Sequence, residues 1–293
     1  MKVGICLPYA ETELDRSRLT QWCRLVDEGP FSSLSCGERM IGPSREMGSL
    51  LAAAAVLTSR VRIVPSLYVL PLHSAVWAAK EIATLDILSE GRITVTVGVG
   101  GRQDDYRAVE VPFKRRHARM DEQVAVMRRV WKGEPGFPGA PDVGPLPVQP
   151  GGPPLLAGSM GPVAMARVAH WADGVYAWSG NGQQKEMEAL LELARQAWQT
   201  AGRDTAPRQV GGFWFSLADG AQARLREYVF DYLRVFGDDA ARAMSSMMDR
   251  SNPDAVRESL DAMEAAGCEE TFLVPATADV AEVERAAEIV DRR

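Results

Sequence analysis

The chain has 293 residues, of which 46% are apolar, enough for the single large core that a closed barrel needs. A net charge of −6 and an isoelectric point near 5.3 exclude a general attraction to nucleic acid or to anionic membrane. No stretch approaches the ~20 consecutive apolar residues of a membrane helix, and Met1–Ile5 enters a strand at once, so the expectation is a cytoplasmic protein without a leader. Cys6, Cys23, Cys36 and Cys268 lack CxxC spacing and a nearby His, which predicts free thiols behaving as small hydrophobes.

In chain order, a first strand at Val3–Pro8 precedes a helix at Arg18–Asp27. Strand Ser32–Cys36 leads to helix Met47–Thr58, and strand Val61–Val69 to helix Val76–Leu88. After strand Ile93–Val99, Met120, Val124, Met127 and Trp131 recur at helical spacing. A Pro/Gly-rich stretch over residues 133–153 reads as a long loop into strand Pro154–Gly158 and helix Val163–Trp171. Strand Gly174–Trp178 is followed by the helical stripe Met187, Leu190, Leu191, Ala194 and Trp198. Strand Val210–Leu217 precedes one helix over Gln222–Phe236. Helix Pro253–Ala265 starts at the cap Asn252 and stops at Gly267, before strand Thr271–Pro275 and helix Val280–Val290.

Most of these strands are continuous apolar runs, the pattern of strands covered on both faces. Strand and helix alternate through eight such units, which predicts a single-domain α/β chain folded over 1–293 as a parallel (β/α)8 barrel. An open doubly wound sheet would use fewer units, and its first-turn glycine fingerprint is absent here.

Barrel active sites sit on the loops after the strands. That rule selects Pro8-Tyr9, Glu38-Arg39, Ser66–His73, Gly98–Tyr106, Gly158–Pro162 and Ser179–Gly182. The loop Ala157–Pro162 combines small residues, a hydroxyl and a helix-starting proline, which suits either a phosphate or an ordinary tight turn. Gly98, Gly100 and Gly101 allow a flat ring against a strand end or simply a sharp turn. Tyr9, Tyr68, Trp178 and Trp214 lie near strand ends, placed to line an aromatic pocket or to pack in the core. His73 is in reach of the pocket, whereas His117 and His170 fall on outer helices. No His, Cys and carboxylate grouping has metal-ligand spacing, and neither GxSxG nor a Walker loop is present.

Several ordered segments resemble the luciferase-like monooxygenases: Leu57–Ile63, Ala83–Arg92, Gly98–Gly101, Arg116, Arg119, Glu122, Trp131, Pro153–Gly158 and Ala172–Gly174. The resemblance spans residues 1–180, with a less diagnostic C-terminal third. It implies a barrel enzyme using reduced FMN or the deazaflavin coenzyme F420, and a homodimer. Ser66–Leu67 falls where the family carries a non-prolyl cis peptide against the flavin ring. Gly158, Ser159 and Met160 match its cofactor-phosphate loop, and Ser179-Gly180 a second part of that site. The family's usual Glu-His or Asp-His after strand two reads Glu38-Arg39 here, and an arginine cannot serve as a general base. Arg39 can instead bind an anionic substrate or stabilise negative charge on the cofactor, or simply point to solvent or pair with Glu38. The general acid or base stays unassigned, with Asp105 as the catalytic candidate among the nearby Asp104, Asp105 and Tyr106.

Three functions follow from the resemblance. The first is a monooxygenase using reduced FMN supplied by a separate flavin reductase to oxygenate a small organic substrate. The second is F420-dependent hydride transfer, as a dehydrogenase or reductase. The third is a flavin-binding barrel without catalysis, motivated by Arg39.

Overall fold

The computed structural model describes residues 1–293. Eight parallel strands close on themselves in sequence order: β1 (Lys2–Cys6), β2 (Ser33–Cys36), β3 (Arg62–Val69), β4 (Val95–Gly98), β5 (Leu155–Gly158), β6 (Gly174–Trp178), β7 (Arg208–Phe215) and β8 (Glu270–Pro275). This is the (β/α)8 barrel expected from the alternation of apolar runs. The helices are α1 (Arg16–Glu28), α2 (Met47–Leu57), α3 (Ala75–Leu88), α4 (Gln103–Ala108), α5 (Arg116–Trp131), α6 (Pro162–Val168), α7 (Gln184–Thr200), α8 (Ala221–Leu233), α9 (Asp238–Ser246), α10 (Pro253–Ala265) and α11 (Ala281–Asp291). The main core lies between sheet and helices, where the strands' outward residues such as Ile5, Leu34, Ile63 and Val97 meet Trp22, Leu51, Ile82 and Met127. All four cysteines are free and buried.

Inside the barrel, side chains stack in layers. At the bottom Glu270 accepts from Ser32 Oγ and Ser33 Oγ at 2.6 Å each, and Arg62 donates to Thr94 Oγ1 and to the Ile93 carbonyl. Above them Val64, Leu156, Tyr176, Val210 and Phe272 fill the middle. Bottom and middle are therefore solid, and chemistry is confined to the mouth at the strand C-termini. The 133–153 segment joins α5 to β5 and so runs at the opposite, bottom face. Asp86 holds it by accepting from Gln149 N and Gln149 Nε2 at 2.9 and 2.7 Å.

The expected helix over 222–236 divides. It ends at Leu233, runs through one tighter turn to Phe236, and reverses at Gly237 (φ 104°) into α9, which the alanine-rich sequence there did not announce. The ends of α10 follow the expected signals. Asn252 Oδ1 accepts from Ala255 N at 3.0 Å, and Gly267 takes the left-handed φ of 101° just past the last turn. Asn252→Ala is expected to lower unfolding free energy by about 1 kcal/mol, read from a denaturant midpoint shift at constant m. An unchanged midpoint would show that the cap contributes nothing.

Candidate active site

The mouth is built around a bulge in β3. Register with β4 runs Ser66 opposite Thr96 and then Tyr68 opposite Val97, so Leu67 is the extra residue, and the Ser66–Leu67 peptide is cis. Leu67 lies across the ends of β4 and β5. A β-carbon at Gly98 would sit 2.7 Å from Leu67 Cδ1, and one at Gly158 2.4 Å from Cδ2. Those two glycines therefore make room for Leu67 itself, forming a flat apolar step at the strand ends with Ser66 and Leu67 half-exposed above it.

The same bulge corrects the placement of Tyr68. Because side chains alternate along a strand, one extra residue turns the next one to the other face. Tyr68 points outward with its partner Val97 into the helix-side core, and its hydroxyl donates to Glu81 Oε2 on α3 at 2.7 Å. It does not line the mouth. His73 goes with it: its ring lies 4.5 Å from that of Tyr68, and Nε2 is 2.6 Å from Glu38 Oε1. Glu38 is buried and also accepts from Val69 N at 2.6 Å. Burial alone pushes the His73 pKa down, but the hydrogen bond and charge of Glu38, with Glu81 and Glu46 nearby, outweigh it and raise the pKa above its ordinary value.

The remaining aromatic candidates form a continuous run up from the barrel centre. Phe272, Tyr176, Trp178 and Trp214 succeed one another at centroid separations of 5.8, 6.5 and 4.7 Å, and Tyr232 continues it 5.4 Å beyond. Tyr9 is buried against Gly37, where burial holds its hydroxyl protonated far above the ordinary pKa, with lesser contributions from nearby tyrosines. Tyr232 and Tyr228 come from α8, which packs over the mouth through Leu225, Val229 and Leu233 against Trp214, Ala276 and Met248. Neither tyrosine was singled out in the sequence, although their four-residue spacing after strand seven puts both on one helix face. Arg102, also not singled out, donates to the Tyr232 carbonyl.

Arg39 neither points to solvent nor pairs with Glu38. Its guanidinium carbon lies 5.1 Å from the Tyr232 ring centroid, and its Nε is buried with no acceptor. Asp105 is buried and its Oδ1 accepts from Ile41 N at 2.8 Å, so it braces the loop that carries Arg39 and does not project as a free carboxylate.

In the phosphate-loop candidates the two serines separate. Ser159 is 5% exposed and its Oγ is buried with no partner, an orphan donor of the kind an anionic group satisfies. Met160 beside it is exposed, and α6 is only seven residues long, so its dipole adds little to the site. Ser179 Oγ is already committed: it donates to Glu186 Oε2 at 2.6 Å and accepts from Gln183 N at 2.9 Å at the start of α7. Gly180 is covered by the Met248 methyl and Trp214. Gly100 sits in the left-handed region at φ 61° against Val69, and Gly101 packs against Phe236, so both shape the loop that presents Arg102. Ser159, Leu67 and the buried, unpartnered Thr96 Oγ1 provide a hydroxyl donor, an apolar step and a spare polar atom, a set that fits a ring carrying a phosphate-bearing side chain.

The chain and its fold have counterparts among known proteins. The chain is 31% identical over 202 residues to an uncharacterized protein of Mycobacterium tuberculosis, covering 65% of this chain and 71% of that one. It is 32% identical over 137 residues to F420-dependent glucose-6-phosphate dehydrogenase 1 of Rhodococcus jostii, covering 44% of this chain and 41% of that one. Its fold superposes on monooxygenase RslO1 from Streptomyces bottropensis with a TM-score of 0.76 at 23% identity, over 99% of this chain and 97% of the other. The family model for luciferase-like monooxygenases matches residues 1–292, and the chain belongs to that family.

Proposed function

We propose that this protein is a monooxygenase that uses reduced FMN, delivered by a separate flavin reductase, to oxygenate a small organic substrate at the barrel mouth. The observation that carries this reading is the aromatic lining of the mouth, together with the loss of a free base among the residues that the sequence offered there. The carboxyl nearest the cover with a pKa lifted to about 7 by burial is Glu11, in the loop after β1. Arg39 carries a guanidinium, a group that only donates. Asp105 is taken by Ile41 N, His73 faces Glu38 outside the mouth, and burial keeps Tyr9 and Tyr228 protonated. Dehydrogenation of an alcohol needs a base for the hydroxyl proton. Oxygenation instead calls for a dry pocket of aromatic walls, which Trp178, Trp214 and Tyr232 supply.

Bound reduced FMN supplies the electrons for dioxygen chemistry. Within the chain, Ser159 would donate to its phosphate, Leu67 would be the step beneath its ring, and α8 would be the cover that excludes water. Hydride transfer with F420 is the second reading, favoured by the relationship to the Rhodococcus jostii F420-dependent dehydrogenase. Anaerobic titration with oxidised and reduced FMN and F420, followed by absorbance, separates the two. The expected result is preference for reduced FMN and substrate-dependent oxygen uptake when a reductase supplies it. Preference for reduced F420 with turnover under nitrogen would overturn the first reading in favour of the second.

A homodimer belongs to the same proposal. Val56 and Leu57 on α2 and Trp77, Ile87 and Leu88 on the neighbouring α3 are exposed, with Trp77 at 64%, a large apolar surface to leave in water. Trp77→Glu is expected to halve the mass found by sedimentation equilibrium at micromolar concentration. A wild-type protein that is already monomeric there removes the dimer.

A further inference from the structure

Arg39, after β2, and Arg102, after β4, approach the Tyr232 ring, each with its guanidinium carbon 5.1 Å from the centroid. Both are only partly exposed. Neither belongs to any of the chain's ion pairs, which involve other arginines such as Arg107, Arg167 and Arg250. Asp105, whose charge reaches Arg102, spends its Oδ1 on Ile41 N and forms an ion pair with neither arginine. Arg39 Nε has no acceptor, and Arg102 donates only to a main-chain carbonyl. Two partly desolvated cations are thus held around one ring with no anion between them, beside the indoles of Trp178 and Trp214. Such a pair is stable only weakly against its own repulsion and is complementary to a negative group.

We infer that Arg39 and Arg102 form a clamp for an oxyanion on the substrate, which is therefore an aromatic or otherwise apolar molecule carrying a carboxylate, sulfonate or phosphate. The inference rests on the reading that the mouth is the substrate site. The guanidinium edges offer paired N–H donors that match the two oxygens of such a group, while the indoles take its apolar body. Tyr232 holds the clamp's place until the substrate enters, since its ring and carbonyl occupy the same two side chains. The departure from histidine at Arg39 then marks a change of substrate class as well as the loss of a base.

The test uses the full-length protein without cofactor and benzenesulfonate as probe, followed by tryptophan fluorescence at constant ionic strength set with chloride. Benzyl alcohol is the neutral control. Benzenesulfonate is expected to bind at least 10-fold tighter than benzyl alcohol, and Arg39→Gln or Arg102→Gln to weaken it 10-fold or more. Arg39→Lys is expected to recover part of the loss, and the melting temperatures of the two Gln variants are expected at or above wild type because a like charge has been removed. Equal binding of the two probes, or unchanged sulfonate binding in both Gln variants, overturns the clamp. Parallel titrations with FMN and F420 tell whose anion the arginines hold. A loss of cofactor affinity with sulfonate affinity intact assigns them to the cofactor and also overturns the inference. Should no cofactor bind the wild type at all, the proposed function fails, yet the sulfonate titration still reads the clamp directly.

Discussion

Ser159→Ala is expected to weaken binding of the phosphate-bearing cofactor by roughly 10- to 150-fold, the equivalent of the ~1.5–3 kcal/mol carried by a hydrogen bond to a charged acceptor. The same change is expected to leave unfolding free energy unchanged or to raise it by up to about 1 kcal/mol. Both directions follow from one fact: the hydroxyl is buried and unpartnered in the protein alone. Removing it breaks no internal bond and relieves an unsatisfied group. Ser179→Ala should do the reverse, because its hydroxyl joins Glu186 to the first turn of α7. Its loss is expected to cost about 1 kcal/mol of stability while cofactor affinity stays within about threefold of wild type. Cofactor titration and chemical denaturation of the two variants decide the matter. Wild-type affinity in Ser159→Ala would place the phosphate elsewhere.

The two serines show where the sequence is readable and where it stops. The eight strands were legible because most of them, buried on both faces, write near-continuous apolar runs, and each expected strand lies within two residues of the observed one at either end. Asn252-Pro253 and Gly267 were legible because capping is local chemistry among adjacent residues. The site is different in kind. Ser159 and Ser179 each follow a strand in a glycine-containing loop, and nothing in those loops says that one hydroxyl is free and the other taken by a carboxylate seven residues on. Tyr68 was misplaced for a related reason. The periodicity that assigns faces counts residues in twos, and a single extra residue at Leu67 inverts the count beyond it.

What the sequence could not show at all was the cover. α8 brings Tyr228 and Tyr232 over the mouth because Leu225, Val229 and Leu233 pack on Trp214 and Ala276, a meeting of elements far apart in the chain. The family resemblance pointed to Ser66–Leu67 and Ser159 for the floor of the proposed site, but its C-terminal third carried no diagnostic motif. That is the part from which the cover is made. The floor and the mouth therefore answer to different residues: Leu67 and Ser159 suit a cofactor shared by many chains, whereas Arg39, Arg102 and Tyr232 suit whatever this one acts upon.

Glu38→Gln is expected to reverse the pH dependence that His73 gives to stability. In the wild type the folded pKa of His73 lies above its unfolded value of about 6.5, so protonation favours the fold. That contribution is fully present below the unfolded pKa and is lost as pH rises through the folded one. The upward shift depends chiefly on Glu38, whose Oε1 stands 2.6 Å from Nε2, while burial works against it. With a neutral amide in place of the carboxylate, burial becomes the largest remaining influence and the pKa should fall below its ordinary value. Protonation would then disfavour the fold, and stability would drop as pH is lowered through the unfolded pKa. The amide oxygen can still accept from Val69 N but no longer carries charge, so the cost in the acidic range is expected to be about 2 kcal/mol. His73 titration by NMR in both proteins, with denaturation midpoints at pH 5.5 and 8.5, measures the two effects separately. An unchanged His73 pKa in the Gln variant would mean that Glu46 and Glu81 hold the proton, and that Glu38 serves only to fix the β3 bulge through Val69.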